Sequence, residues 1–246
     1  MLKKYITFLL LLAPMSMVLQ AQNSIDREVG DFDRLIVSPH IDVVLVQGDH
    51  PAVRVEYDNI DVHEINVDHS GNTLKLFLEH ARIVEKTERS DMHYSRGIYH
   101  DARVTAYVTF TALELLEVRG DQQITVESPI EAEQFRLRIY GENDVRMAAV
   151  KADYFKVNMY GENDLTIRGG DVEYQKYNLY GQNSIEVSDL TSQHSQTNIY
   201  GESEISLHAA HELKVTAMGE GIISYTGQPV LNKGLILGEP RIFSRN

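Results

Sequence analysis

Tyr140-Gly141-Glu142-Asn143-Asp144-Val145 returns twenty residues later as Tyr160-Gly161-Glu162-Asn163-Asp164-Leu165. It returns again as Tyr180-Gly181-Gln182-Asn183-Ser184-Ile185 and as Tyr200-Gly201-Glu202-Ser203-Glu204-Ile205. Arg119-Gly120-Asp121 opens the series, and Met218-Gly219-Glu220-Gly221-Ile222-Ile223 is a degraded copy. Gly238 stands where a last copy would close it. From Gly120 to Gly219 the glycines fall 21, 20, 20, 20 and 18 residues apart. A fixed period of this size marks a repeat architecture.

The flanks of each glycine select which architecture. Phe155, Val157 and Met159 alternate with Lys156, Asn158 and Tyr160, and Leu165 and Ile167 continue the same frame beyond the glycine. Phe135, Leu137, Ile139, Val145 and Met147 repeat it, as do Tyr177, Leu179, Ile185 and Val187. Period-two alternation means strand with one buried face, so each repeat reads as strand, glycine turn, strand. A leucine-rich repeat would need a leucine and asparagine framework that is missing, and a propeller blade is about twice this length. The pattern predicts an all-β parallel β-helix, or solenoid, of rungs about 20 residues long. Stacking would bury apolar faces that a single rung cannot bury alone. Gly120, Gly141, Gly161, Gly181, Gly201 and Gly219 are the expected structural turns, because glycine accepts φ > 0 without a steric penalty. Asn143, Asn163 and Asn183 are read as turn residues as well.

Outside the repeat, shorter alternating runs such as Ile41 to Val46, Leu74 to Leu78 and Val104 to Phe110 read as further strands. Residues 22–115 are therefore taken as N-terminal strands and 116–246 as the glycine-turn rungs, within one domain spanning 22–246. Residues 80–103 break the alternation. They are charged, carry His93, Tyr94, Tyr99 and His100, and are expected to form a solvated loop or hairpin extension. Loops of that length are uncommon unless they serve a function.

Residues 1–21 read as a signal peptide: Lys3 and Lys4, an apolar run through Leu9 to Leu12, and Ala21 at the cleavage point. The apolar run is short for a membrane span, and no second one follows, so no span is expected after cleavage. Export to the periplasm, the cell surface or the medium follows from that reading. The chain has no cysteine, which excludes disulfides, a thiol nucleophile and a lipidated cysteine after the leader. Its net charge of −13 repels phosphate backbones, so nucleic acid is not an expected partner.

Several segments together resemble the head GIN domain auto-transporter adhesin family of Bacteroidota. They are Phe32-Asp33-Arg34-Leu35, Gly71-Asn72-Thr73-Leu74-Lys75-Leu76, the glycine repeats, and Tyr225-Thr226-Gly227-Gln228-Pro229. The resemblance covers most of the chain beyond the leader. It implies a right-handed, pectin-lyase-like β-helix, an adhesin role and no shared catalytic residues. The family's serine-rich turn is replaced here by Tyr-Gly-Glu-Asn.

The ladders are the candidate site. Tyr140, Tyr160, Tyr180 and Tyr200 should form one column, and Glu142, Glu162, Gln182, Glu202 and Glu220 another. An exposed tyrosine strip could stack on sugar rings. The same column could instead be structural, since paired aromatics on neighbouring strands stabilise each other by roughly 0.2–1 kcal/mol. No cofactor is expected. Calcium would relieve the repulsion of an acidic column and prefers several oxygen ligands, although Gln182 interrupts the column and no Asp-rich calcium loop is present. No catalytic residue is assigned: G-x-S-x-G, H-E-x-x-H and phosphate-loop motifs are absent. Carboxylates repeated in every rung lack the contrasting surroundings of a catalytic pair. Three functions fit these features: an exported binding or scaffold protein whose partner is a glycan or a cell-surface protein, a pectin-lyase-like carbohydrate-active enzyme, and a structural envelope protein without a ligand. The first is preferred.

Overall fold

Alternation with period two, punctuated by turn residues, gives a chain that is strand almost throughout. The computed structural model describes residues 23–89 and 95–245. The expected leader, with His93 and Tyr94, lies outside the described residues. The first strands are β1 (Asn23–Glu28), β2 (Arg34–Val37), β3 (Asp42–Gln47), β4 (Ala52–Asp58), β5 (Ile65–Ser70) and β6 (Thr73–Leu78). Next come β7 (Thr87–Arg89), β8 (Ser95–Gly97), β9 (Arg103–Phe110), β10 (Leu115–Gly120) and β11 (Gln123–Val126). The repeats supply β12 (Ile130–Gly141), β13 (Asp144–Met147), β14 (Val150–Ile167), β15 (Gly170–Val187), β16 (Thr191–Gly201) and β17 (Glu204–His208). The last are β18 (Glu212–Met218), β19 (Ile222–Thr226), β20 (Val230–Leu237) and β21 (Arg241–Ser244).

From β10 onward the strands pair parallel, each with the strand one repeat later. Leu137 lies beside Val157, Val157 beside Tyr177, and Tyr177 beside Thr197. Parallel pairing at a constant repeat length is a β-solenoid. The alternation puts Phe135, Phe155, Val157, Met159, Leu165 and Ile167 in the buried core. Phe135 and Phe155 stack inside it with ring centroids 5.5 Å apart. One polar cluster is also buried: the Tyr177 hydroxyl donates to Gln175 Oε1 at 2.8 Å, and Gln175 Nε2 donates to Ser192, Ser195 and the His208 carbonyl. Burial pushes the Tyr177 phenol far above its ordinary range. Its hydroxyl therefore acts only as a neutral hydrogen-bonding group.

The stack begins earlier than Leu116. Strand β10 lies parallel on β2, and β2 on β6, with Leu116 beside Leu35 and Leu35 beside Leu74. Strand β11 lies on β3, and β3 on β9, in the same way. Strands β2 and β3 come first in the chain yet sit above β6 and β9. Below these courses the pairing turns antiparallel: β5 on β6, β4 on β9 and β1 on β4.

Residues 80–103 depart from the wall between β6 and β9, at the level where the other rungs turn their corner. They form a hairpin in which β7 and β8 pair antiparallel. Its root is not solvated. Ala81 and Tyr99 are buried, the Tyr99 hydroxyl accepts from the His80 N–H at 3.3 Å, and the Tyr99 N–H donates to Glu85 Oε1 at 2.6 Å. Burial, with the Glu64 carboxylate next, pushes the Tyr99 phenol up to about 12.

Candidate functional site

The corner after each long strand is built first by glycine. Gly120, Gly141, Gly161, Gly181, Gly201 and Gly219 all have φ between 106° and 128°. At Gly161 two demands coincide. L residues avoid that backbone region, and a Cβ there would stand 2.2 Å from the Gly141 carbonyl oxygen of the rung below. The corner is therefore a flat strip of backbone where rungs approach too closely for any side chain.

Beside the glycines runs the tyrosine column. Tyr140, Tyr160, Tyr180 and Tyr200 are paired residue for residue. Their ring centroids are 5.1, 4.7 and 4.9 Å apart and the rings lie within 6° of parallel. Each is 36–39% exposed. For Tyr160 and Tyr180 both faces are taken by neighbouring rings, so edges and hydroxyls are what they present outward. A sugar that stacks on ring faces finds none free there. A second pair, Tyr154 and Tyr174, stacks in the same manner on the neighbouring stretch of wall.

The asparagines differ from the expectation. Asn143, Asn163 and Asn183 do not adopt positive φ, and each is at least 96% buried. Their amides form a ladder inside the corner. Asn143 Nδ2 donates to Asn163 Oδ1 at 2.9 Å, Asn163 Nδ2 to Asn183 Oδ1 at 3.1 Å, and Asn183 Nδ2 to Ser203 Oγ at 3.4 Å. Each Nδ2 also donates to the carbonyl of the tyrosine three residues before it. Glycine already supplies the turn. The amide's task is to satisfy polar groups that stacking would otherwise strand in the core. The signal was present in the sequence, in an amide recurring two residues after each glycine.

Glu142, Glu162, Gln182 and Glu202 stand on the solvent side of the corner, and Glu220 is exposed on the rung above. Gln182 Nε2 lies 3.5 Å from Glu202 Oε2, so the glutamine tempers the column's repulsion. Among the described residues, no group of three His, Asp or Glu side chains converges as a metal site.

The ladder changes character at its foot. The residue in register with Tyr140 on β10 is Arg119. Its guanidinium turns along its own strand, with Nε 2.8 Å from Glu117 Oε1, and Arg138 Nη1 reaches Glu117 Oε2 at 3.2 Å. Glu117 is thus buried between two arginines. Below, the turn of rung β2–β3 is Pro39-His40, with His40 at φ 68°. Here the hairpin leans back onto the solenoid: His40 Nε2 pairs with Glu85 Oε2 at 3.1 Å. Between hairpin and corner lies a cleft of about 660 Å³ with mainly apolar walls, formed by Ile83 and Val84 on one side and Tyr140, Arg119 and Pro39 on the other. Ile83 and Val84 are 67% and 79% exposed. Across the glycine strip a second pocket, of about 360 Å³, is lined by Asp42, Asp121, Glu142, Asp144, Glu162 and Asp164. Asp121 borders both. The sequence reading singled out 80–103 but did not connect it to the tyrosine column.

The sequence model of the family described as "Putative auto-transporter adhesin, head GIN domain" matches residues 31–229. No curated protein matches the chain. Among solved structures, a putative adhesin from Bacteroides fragilis is similar over 92% of this chain and 97% of its own, with a TM-score of 0.74 and 16% identity. A putative adhesin from Parabacteroides merdae gives 0.64 and 14%, over 92% and 97%. A putative lipid binding protein from Parabacteroides distasonis gives 0.62 and 16%, over 92% and 98%. At these identities the structures speak to the fold alone.

Proposed function

The chain belongs to the head GIN domain auto-transporter adhesin family, and from that premise we propose that it is an exported, non-catalytic binding protein of the bacterial envelope. The observation that supports this best is the corner at the foot of the tyrosine ladder. Rigid stacked rungs carry a mainly apolar cleft that reaches solvent, with Ile83 and Val84 projecting at its edge. Exposed apolar surface on a preorganised scaffold is the usual form of a recognition site. Glu142 and Glu162 recur from rung to rung in like settings, and Glu117, the buried carboxylate beside the cleft, is held between Arg119 and Arg138. Export rests on the leader-like residues 1–21. Among the described residues no helix is long and apolar enough to cross a membrane.

Protease added to intact cells, with the protein followed by antibody, tests display. Cleavage is expected without lysis, and protection until the outer membrane is opened would restrict the protein to the periplasm. Purified protein that depolymerises an acidic polysaccharide, and stops when one carboxylate is replaced, would overturn the non-catalytic reading.

A further inference from the structure

The wall that leads into the corner carries a straight file of cations, and we infer that it binds a linear acidic polysaccharide laid along the solenoid axis. This rests on the reading of the chain as a binding protein and adds a second surface with its ligand class.

Register builds the file. Arg136 lies beside Lys156 and Lys156 beside Lys176, and Gln196 and Lys214 continue the column on the next two rungs. The alternation points all five away from the core, where they are exposed or half-buried. Each rung sets the next cation about 4.8 Å further along one line. Like charges directly opposite each other on paired strands are destabilising. The same rungs avoid that elsewhere: Glu131, Lys151 and Asp171 alternate in sign, and Lys151 pairs with Glu131 at 2.8 Å. Lys156, Lys176 and Lys214 have no carboxylate partner among the described residues. The chain has 36 Asp and Glu residues, yet none falls within 134–140, 154–160, 174–180 or 194–200. A polyanion lying on the file would relieve the repulsion that this arrangement stores.

The neighbours of the file narrow the ligand. A second amide ladder runs beside it, between the cations and the tyrosines. Asn178 Nδ2 donates to Asn158 Oδ1 and Asn198 Nδ2 to Asn178 Oδ1, both at 2.7 Å. Gln196 Nε2 donates to Asn198 Oδ1 at 3.3 Å, and Gln196 Oε1 accepts from the Tyr174 hydroxyl at 2.8 Å. These amide oxygens are engaged, whereas each amide nitrogen keeps a second hydrogen, and an ammonium group has donors alone. The band therefore offers donors and calls for acceptors, which the anionic groups and hydroxyls of an acidic glycan supply. No ring face is needed. A repeating surface suits a repeating ligand, because each sugar bound holds the next at high effective concentration. Glu142 and Glu162 edge the band on the corner side, and Asp153 and Glu173 on the other. At physiological salt their repulsion is largely screened beyond about 8 Å, so a polyanion is left one course, along the file. A DNA duplex carries a charge about every 1.7 Å, wound around its axis, and matches neither the spacing nor the line.

The probe is a linear galacturonic acid octamer, titrated calorimetrically into the full folded protein at low salt beside a neutral xylose octamer. Saturable binding of the acidic chain alone is expected. Lys156→Gln/Lys176→Gln should weaken it by about tenfold at low salt and by less as salt rises. Lys156→Arg/Lys176→Arg, which keeps the charge, should retain most of the affinity. Lys151→Gln, where the cation is already paired, should leave it unchanged. The glutamine variant should melt no lower than the unaltered protein, since it removes like-charge repulsion, and the arginine variant controls for any loss of fold. A sulfated cellulose octamer that binds more tightly than the galacturonate would support the class and name sulfate as its charged group. No saturable binding would overturn the site, as would equal affinity in Lys156→Gln/Lys176→Gln, equal affinity for the neutral octamer, or tighter binding of a short DNA duplex. Each of these failures would leave the envelope-adhesin reading standing, whereas protease protection in intact cells would count against surface display whatever the octamer does.

Discussion

Between β12 and β16 each corner residue meets its own kind in the next rung: glycine over glycine, tyrosine over tyrosine, and asparagine over asparagine as far as Ser203. Between β2 and β10 the same corner meets unlike neighbours. Tyr140 has Arg119 beneath it, Gly120 packs against Pro39, and a hairpin replaces the turn between β6 and β9. In the regular stretch, identical neighbours share one geometry, so rings stack and amides pair in a continuous file. Stability there is a sum of nearest-neighbour terms. Where the file is interrupted, stacking stops, acceptors are left over and the hairpin leans across the gap. The stretch that holds the molecule together and the stretch equipped to recognise something are thus adjacent parts of one corner.

The comparison is tested most severely at glycine. Gly161→Val should destabilise by more than about 4 kcal/mol, because it combines a forbidden φ with overlap on the Gly141 carbonyl. Its neighbour Glu162→Ala should scarcely shift the denaturation midpoint. Equal midpoints for the two would mean that rungs are not held at this spacing. Asn163→Ala should cost about 2–3 kcal/mol, because it strands the amide partners on both sides of the file. A loss no larger than that of an exposed alanine substitution would show that water enters the corner and replaces the amide.

Tyr160→Ala/Tyr180→Ala comes next, with an expected loss of about 1–2 kcal/mol from ring contacts in urea unfolding. An unchanged unfolding free energy would remove the structural account of the column and return it to candidacy as a binding strip. The smallest effect belongs to the interrupted stretch. Ile83→Ser/Val84→Ser should alter stability by no more than about 0.5 kcal/mol, since both side chains are already in water. A large loss would mean that the hairpin braces the stack, and would erase the division between the two parts of the corner.

The rungs were legible because each states its own requirements locally. Phe155, Val157 and Met159 face one way by period two, and Gly161 marks the corner whatever lies above or below it. The asparagines were legible as a recurrence yet were assigned to the turn, since burial is a property of the stack and not of the rung. The N-terminal courses were harder. Leu35 and Leu74 alternate like any strand residues, and nothing in their order announces that the later one lies underneath. That inversion depends on β4 and β5 running antiparallel below the stack, which is a long-range arrangement.

Period and alternation by themselves determined the solenoid, its glycine corner and the tyrosine file, because a repeat that buries one face has only its neighbours to bury it against. Tertiary structure alone decided the cleft and the acidic pocket. Pro39, Val84 and Tyr140 are far apart in the chain, and they meet only when the hairpin folds back over rungs stacked out of sequence order. Contacts of that kind depend on where whole elements come to rest, which no local pattern encodes.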